Sequence, residues 1–219
     1  MSTVSNIDLA AMIENTPFQN EKLSKRKMVQ GHGINDVPFK TSIYLNGKSL
    51  KHPAYAQWCG ILRRCFSESH NKQWKTYKDC IISEDWLYFS NYLKWWKKFY
   101  KEGYEVDKDI LIEGNKHYSE ETCVMVPDWL NSFILRGGST ANRKYKIGVV
   151  KHKGRNRYQA QCNHFGQGNK YIGCFHTEDE AHETWLQYKL GLLESVREEL
   201  NQIDVRLYMC IYKNIINSK

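Results

Sequence analysis

The sequence predicts an α+β protein of two domains, and three observations carry that prediction. Residues 145–175 hold three short strand-like runs separated by glycine-containing turns, and a helix with a marked start follows them. Residues 53–101 hold amphipathic helices whose apolar stripe is rich in tryptophan. Between these regions lies Arg136-Gly137-Gly138-Ser139-Thr140-Ala141-Asn142, a linker by composition. The expected architecture is helices plus a short β-hairpin, then a three-stranded antiparallel sheet packed on one helix, then a short C-terminal helix.

Residues 1–36 are polar and read as a flexible arm, with a basic cluster at Lys22, Lys25, Arg26 and Lys27. The first domain spans 37–135. Pro53 suits the first turn of a helix, and Trp58, Ile61, Leu62 and Cys65 follow on one helical face. A second helix begins near Asp85, with Trp86, Phe89, Leu93 and Trp96 in phase. Lys94, Lys97, Lys98 and Lys101 complement its dipole, and Gly103 stops it. A hairpin is expected over 105–118, turning at Glu113-Gly114-Asn115, and Pro127 opens a further helix over 127–134.

After the linker at 136–144, strands are expected at 145–151, 157–163 and 169–175, within a second domain spanning 145–200. The middle strand alternates, with Tyr158, Ala160 and Cys162 on one face and Gln159, Gln161 and Asn163 on the other. Thr177 and Glu180 have the spacing of a capping box at a helix start. Ala181, Trp185, Tyr188, Leu192 and Val196 then form a stripe that must cover Tyr158, Ala160, Cys162, Ile172 and Phe175. In residues 201–219, Val205, Tyr208, Ile211 and Ile215 fall in phase for the last helix.

The net charge of +8 points to a polyanionic partner, and its distribution says more than its size. Between Asp128 and Glu178 there is no acidic residue, yet Arg136, Arg143, Lys144, Lys146, Lys151, Lys153, Arg155, Arg157 and Lys170 fall inside. Such a stretch suits a position beside phosphates. No apolar run is long enough to span a bilayer, and the N-terminus lacks the pattern of a secretory signal, so a cytoplasmic protein without a membrane partner is expected. The odd count of seven cysteines, with no CxxC pair, argues against a disulfide framework. Cys59, Cys65, His70 and Cys80 could assemble a zinc site, but their spacing is better suited to buried thiols.

With one face of the small sheet covered by a helix, the other is left open. That face is expected to carry Gln159, Gln161, Asn163, Asn169 and Tyr171, ringed by Lys146, Lys151, Lys153, Arg155 and Arg157. Amides can offer a donor and an acceptor to one base edge, while cations anchor phosphates. The expected partner is therefore duplex DNA.

The frame Gly148-Val149, Tyr158-x-Ala160-x-Cys162, Tyr171-Ile172-Gly173-x-Phe175 and Thr177-x-x-Glu180-Ala181 resembles the plant Apetala-two/ethylene-response-factor (ERF) domain and its phage relatives. The resemblance implies that the open sheet face enters the major groove, with Gln161, Asn163, Asn169 and Tyr171 at contact positions. Ile147 and Val150 depart from it, standing where plant members carry arginines, which shifts the expected recognition towards the DNA backbone.

The first domain resembles phage HNH homing-endonuclease-like proteins. The matching pieces are His52-Pro53-x-Tyr55-x-x-Trp58, Leu62-x-Arg64-Cys65-Phe66, Glu84-Asp85-Trp86-x-x-Phe89, Asp107-Lys108-Asp109 and Gly114-Asn115-x-x-Tyr118-Ser119-x-Glu121-x-Cys123. Where such a nuclease needs a histidine base, this chain has Lys108, and the position of a later ligand holds Thr122. The implied domain is degenerate. Asp107, Asp109 and His117 are the residues from which a catalytic site could still be built, with Mg²⁺ the cofactor needed if it were active and none otherwise. Three functions follow from these resemblances: a DNA-binding protein of phage origin, a metal-dependent homing endonuclease, or a counter-defence protein engaging a host nucleic-acid-containing complex in the host cytoplasm.

Overall fold

A computed structural model describes residues 4–18, 26–134, 144–165 and 167–218. The chain divides into two compact units, Met1–Met125 and Val126–Lys219. Among the described residues, α-helices and short strands are mixed in both. No described helix is long and apolar enough to cross a membrane.

The first unit begins where an arm was expected. Helix α1 (Asn6–Glu14) is capped by Ser5, whose hydroxyl accepts from the Asp8 amide. Ile13 is buried, and Glu14 pairs with Lys97 at 2.6 Å, so apolar burial and charge both dock this helix. Arg26 is not offered to a partner either. Its guanidinium donates to Asn35 O, Asn35 Oδ1, Val37 O and Phe39 O. Lys22 and Lys25 lie outside the described residues.

Strands β1 (Ser42–Leu45) and β2 (Lys48–Lys51) form an antiparallel hairpin absent from the sequence reading. Asn46 and Gly47 both have positive φ, as a two-residue turn between twisted strands requires. Helix α2 (Pro53–Phe66) has Pro53 in its first turn and buries Trp58, Ile61 and Leu62. A short α3 (Glu68–Gln73) and a 3₁₀ turn (Lys75–Tyr77) lead to β3 (Ile81–Ile82).

The second predicted helix starts later than expected. Asp85–Leu87 is a 3₁₀ turn, and helix α4 runs over Phe89–Phe99. Its start is set from a distance, because Asp36 accepts from both the amide (2.9 Å) and the hydroxyl (2.6 Å) of Ser90. Phe89, Tyr92, Leu93, Trp95 and Trp96 are buried, and the Trp58 indole donates to Trp86 O at 2.7 Å. The tryptophan stripe is therefore core. Gly33 lets the chain pass over it, since a Cβ there would meet Leu62 at 2.2 Å and Trp58 at 2.8 Å.

The hairpin expected over 105–118 does not form. Strand β4 (Tyr104–Asp107) pairs with β6 (Val124–Pro127), whereas β5 (His117–Tyr118) runs parallel to β3. The turn itself is present, with Asn115 N bonded to Ile112 O at 3.1 Å and Gly114 at φ 72°. What joins β4 to β5 is a loop, because each strand end finds a partner elsewhere.

In the second unit, α5 (Asp128–Phe133) precedes an antiparallel sheet of order β7 (Val149–Lys151), β8 (Tyr158–Asn163) and β9 (Asn169–Phe175). The last two match expectation within one residue. Strand β7 is shorter than predicted because the chain turns through Gly148 at φ 79°, with Val149 N bonded to Lys146 O. Gly148 has a second reason to lack a side chain, since a Cβ would lie 2.1 Å from Trp185. Helix α6 (Glu178–Ser195) opens with the complete capping box of Thr177 and Glu180. Ala181, Trp185, Leu192 and Leu193 are buried on it, as are Ala160 and Cys162 on β8.

Two short helices close the chain, α7 (Arg197–Ile203) and α8 (Leu207–Ile216). Leu207, Ile211 and Ile215 form the buried stripe of α8. Val205, expected in that stripe, is exposed, and Tyr208 instead reaches Glu194 with its hydroxyl at 2.6 Å.

Candidate nucleic-acid interface

The register of the second sheet sorts its residues onto two faces. Val149 opposes Ala160 and Val150 opposes Gln159 across β7 and β8. Across β8 and β9, Gln159 opposes Cys174, Gln161 opposes Tyr171 and Asn163 opposes Asn169. Ala160 faces Gly173 while Gln161 already faces Tyr171, so Ile172 is the extra residue of a bulge. That bulge brings Tyr171 onto the face of the amides rather than the face under α6. Residues Val150, Gln159, Gln161, Asn163, Asn169 and Tyr171 thus share the side away from buried Ala160 and Cys162. Val150 is 46% and Tyr171 55% exposed, which marks this face as open.

The five expected cations do not behave alike. Lys146 is tied to Asp179 at 2.7 Å, and its backbone amide donates to Glu178. The hydrogen bond with Asp179 raises the Lys146 pKa and lowers that of its partner. Lys151 lies on the Tyr158 side of the sheet, over that ring at 3.9 Å, and donates to Asn156 Oδ1 at 2.7 Å. Lys153, Arg155 and Arg157 lie in the turn joining β7 to β8, and among the described residues none of them makes an ion pair with an acid. The stretch free of acids in sequence is not free of them in space, because the first turn of α6 returns its carboxylates to Lys146.

A cleft of ≈ 380 Å³ adjoins the amides and is lined by Gln161, Asn163, Asn169, Trp185 and Lys189, among others. Lys189 is buried to 2% exposure, its ammonium donating to Phe133 O at 2.6 Å. Burial pushes its pKa down to about 8. Sequence reasoning missed this residue, since a lysine on an acidic helix reads as a solvated charge. Its helical phase with Trp185 and Leu192 or Leu193 was the available signal.

In the first unit, Asp107, Asp109 and His117 are held in a loop whose polar groups support the backbone. Asp107 Oδ1 accepts from the amides of Asp109 (2.7 Å) and Ile110 (3.0 Å), an Asx turn. Lys108 is buried, with its ammonium 2.6 Å from both Asp109 Oδ1 and Asn115 O. Asn115 bridges Lys108 O and His117 O with its amide nitrogen and accepts from His117 N. Thr122 donates to His117 O at 2.6 Å. The backbone of His117 is therefore fixed by Asn115 and Thr122.

Among the described residues, no three His, Cys, Asp or Glu side chains are gathered as a metal-holding group. Among the thiols considered for zinc, burial raises the pKa of Cys59 and Cys80 and pushes that of Cys65 up to about 12. Comparison of the chain with protein-family models, with curated proteins and with solved structures gave no match.

Proposed function

We propose that the second unit binds duplex DNA through the open face of β7–β9, as a binding module rather than a nuclease. One observation carries this reading: four amide side chains and exposed Tyr171 share one uncovered face, beside a turn with three cations that, among the described residues, form no ion pair with an acid. Amides match the paired donor and acceptor of adenine in the major groove, and a sheet is narrow enough to lie there. Lys153, Arg155 and Arg157 supply the phosphate anchors. The ERF-like residue frame supports the same reading and, with the HNH-like pieces of the first unit, a phage origin.

For the first unit the loop geometry supports a structural use of Asp107 and Lys108, whose polar atoms are engaged in the Asx turn and the Asn115 bridge. The test is fluorescence anisotropy with labelled random-sequence duplex at low salt, comparing wild type with Arg155→Ala/Arg157→Ala. Binding that weakens in the double variant is expected. Wild-type affinity in the variant, or no binding by either protein, overturns the proposal.

A further inference from the structure

We propose that the segment between α3 and β3 forms a second nucleic-acid surface, which takes single-stranded nucleic acid by stacking a base on Trp74. This goes beyond the duplex reading, involves only the first unit, and stands or falls separately from it.

Of the seven tryptophans, Trp58, Trp86, Trp95, Trp96 and Trp185 are buried and Trp129 is half-buried, whereas Trp74 is 53% exposed. A core explains the others but not this one. Among the described residues, Trp74 is held through its backbone, with its amide on His70 O and its carbonyl accepting from Tyr77 N. The indole therefore has a fixed root and an open ring.

Cations surround that root. Lys72, Lys75 and Lys78 flank it in sequence and are exposed. Lys116 reaches in from the neighbouring loop, its ammonium 2.6 Å from Thr76 O. Arg64 lies over the Tyr77 ring at 5.0 Å. The acids close by are Glu68, 4.0 Å from Lys72, and Asp79, with Asp109 paired to Lys108. The cations outnumber them.

Ile81 adds exposed apolar surface next to Lys116, whose carbonyl accepts from the Ile81 amide. An aromatic face among lysines is the arrangement that binds single strands without reading sequence, because every base has a π-face and every linkage a charge. A duplex hides its base faces, so the same loop offers it only lysines.

The experiment uses the full chain with labelled oligo-dT and oligo-rU, followed by anisotropy and by tryptophan emission. Both strands present the same chemistry, and their relative affinities show which source the loop prefers. Trp74→Ala should weaken single-strand binding about ten-fold, as expected for loss of one stacked base. Trp74→Phe should recover most of it, and duplex affinity should not change in either variant. Oligonucleotide should quench emission in wild type and lose most of that effect in Trp74→Phe. Wild-type oligonucleotide affinity in Trp74→Ala overturns the proposal. So does loss of single-strand binding in Arg155→Ala/Arg157→Ala rather than in Trp74→Ala, which would place the strand on the sheet.

Discussion

The ammonium of Lys189 donates to the carbonyl oxygen of Phe133 at 2.6 Å and lies 3.4 Å from the centre of the Phe133 ring. Phe133 is the last residue of α5, so the lysine satisfies a carbonyl that the helix leaves without a partner. The charge is buried to do so, and desolvation lowers its pKa from the ordinary 10.5 to about 8.

That shift makes a prediction about pH. Between about pH 8 and 10.5 the unfolded chain holds the Lys189 proton and the folded chain does not, so stability rises with pH across that window. At ~1.4 kcal/mol per tenfold change in proton affinity, the charged form costs about 3 kcal/mol at neutral pH. Lys189→Met removes that cost and loses one capping bond of about 1 kcal/mol. Urea unfolding should find the variant at least as stable as wild type at pH 7, with the advantage gone by pH 10.5. A difference that is flat across this range shows that the charge is compensated in place.

The second prediction concerns salt. With Lys146 on Asp179 and Lys151 on the Tyr158 side of the sheet, the three turn cations are the main phosphate anchors. The slope of log K against log salt should therefore be about −3, rather than the steeper value that counting every cation in the stretch suggests. Arg155→Ala or Arg157→Ala should each flatten it by about one, whereas Lys146→Ala should leave it nearly unchanged. Equal effects from all three would mean that Lys146 leaves its carboxylate on binding.

A third prediction separates reading from anchoring. Gln161 and Asn169 face away from α6, at register positions opposite Tyr171 and Asn163. Gln161→Ala and Asn169→Ala should each weaken a preferred duplex, found by selection from random sequence, by about 1–3 kcal/mol and leave random duplex unaffected. If both duplexes weaken equally, the face clamps the backbone only.

How far the sequence disclosed these features depends on how local their causes are. The alternation of β8 and the capping box of Thr177 and Glu180 depend on neighbours a few residues away, and both read correctly. Asn46-Gly47, set between Ile43-Tyr44-Leu45 and Lys48-Ser49-Leu50, is an equally local signal for the β1–β2 hairpin. The 105–118 hairpin failed for the opposite reason. Its turn is local, but the partners of β4 and β5 are chosen by the fold. Charge is the least local property. A stretch without acids still met Asp179 in space, and Lys189 became the buried cap of another helix.

The fourth prediction tests close packing at the start of β7. Gly148 has φ 79°, and a Cβ there would stand 2.1 Å from the Trp185 ring, itself buried under the sheet. Both the backbone strain and the clash oppose any side chain. Gly148→Ala should cost about 2–4 kcal/mol, against about 1 kcal/mol for Gly154→Ala at the exposed turn, where only the positive φ resists and no described atom lies within 4 Å. Thermal unfolding of the two variants gives the comparison. Similar losses in both would show that the tryptophan yields.

The last prediction is that supercoiled plasmid is not nicked efficiently by the purified protein with Mg²⁺ or Mn²⁺. A general base must offer a lone pair to the attacking water. Lys108 stands at the position where the HNH resemblance places that base, and its ammonium donates to Asp109 and to Asn115 O, each at 2.6 Å. Asp107 is engaged too, since its Oδ1 takes two backbone amides that hold the turn into Ile110. Removing it should therefore act on folding first. Asp107→Ala should lose about 1–3 kcal/mol of stability in urea unfolding, as expected when a buried and a part-buried amide lose their acceptor. His117→Ala should be nearly neutral, because the structure holds that residue by its backbone through Asn115 and Thr122. Metal-dependent nicking abolished by His117→Ala without loss of stability would overturn the structural reading of this loop and restore a nuclease.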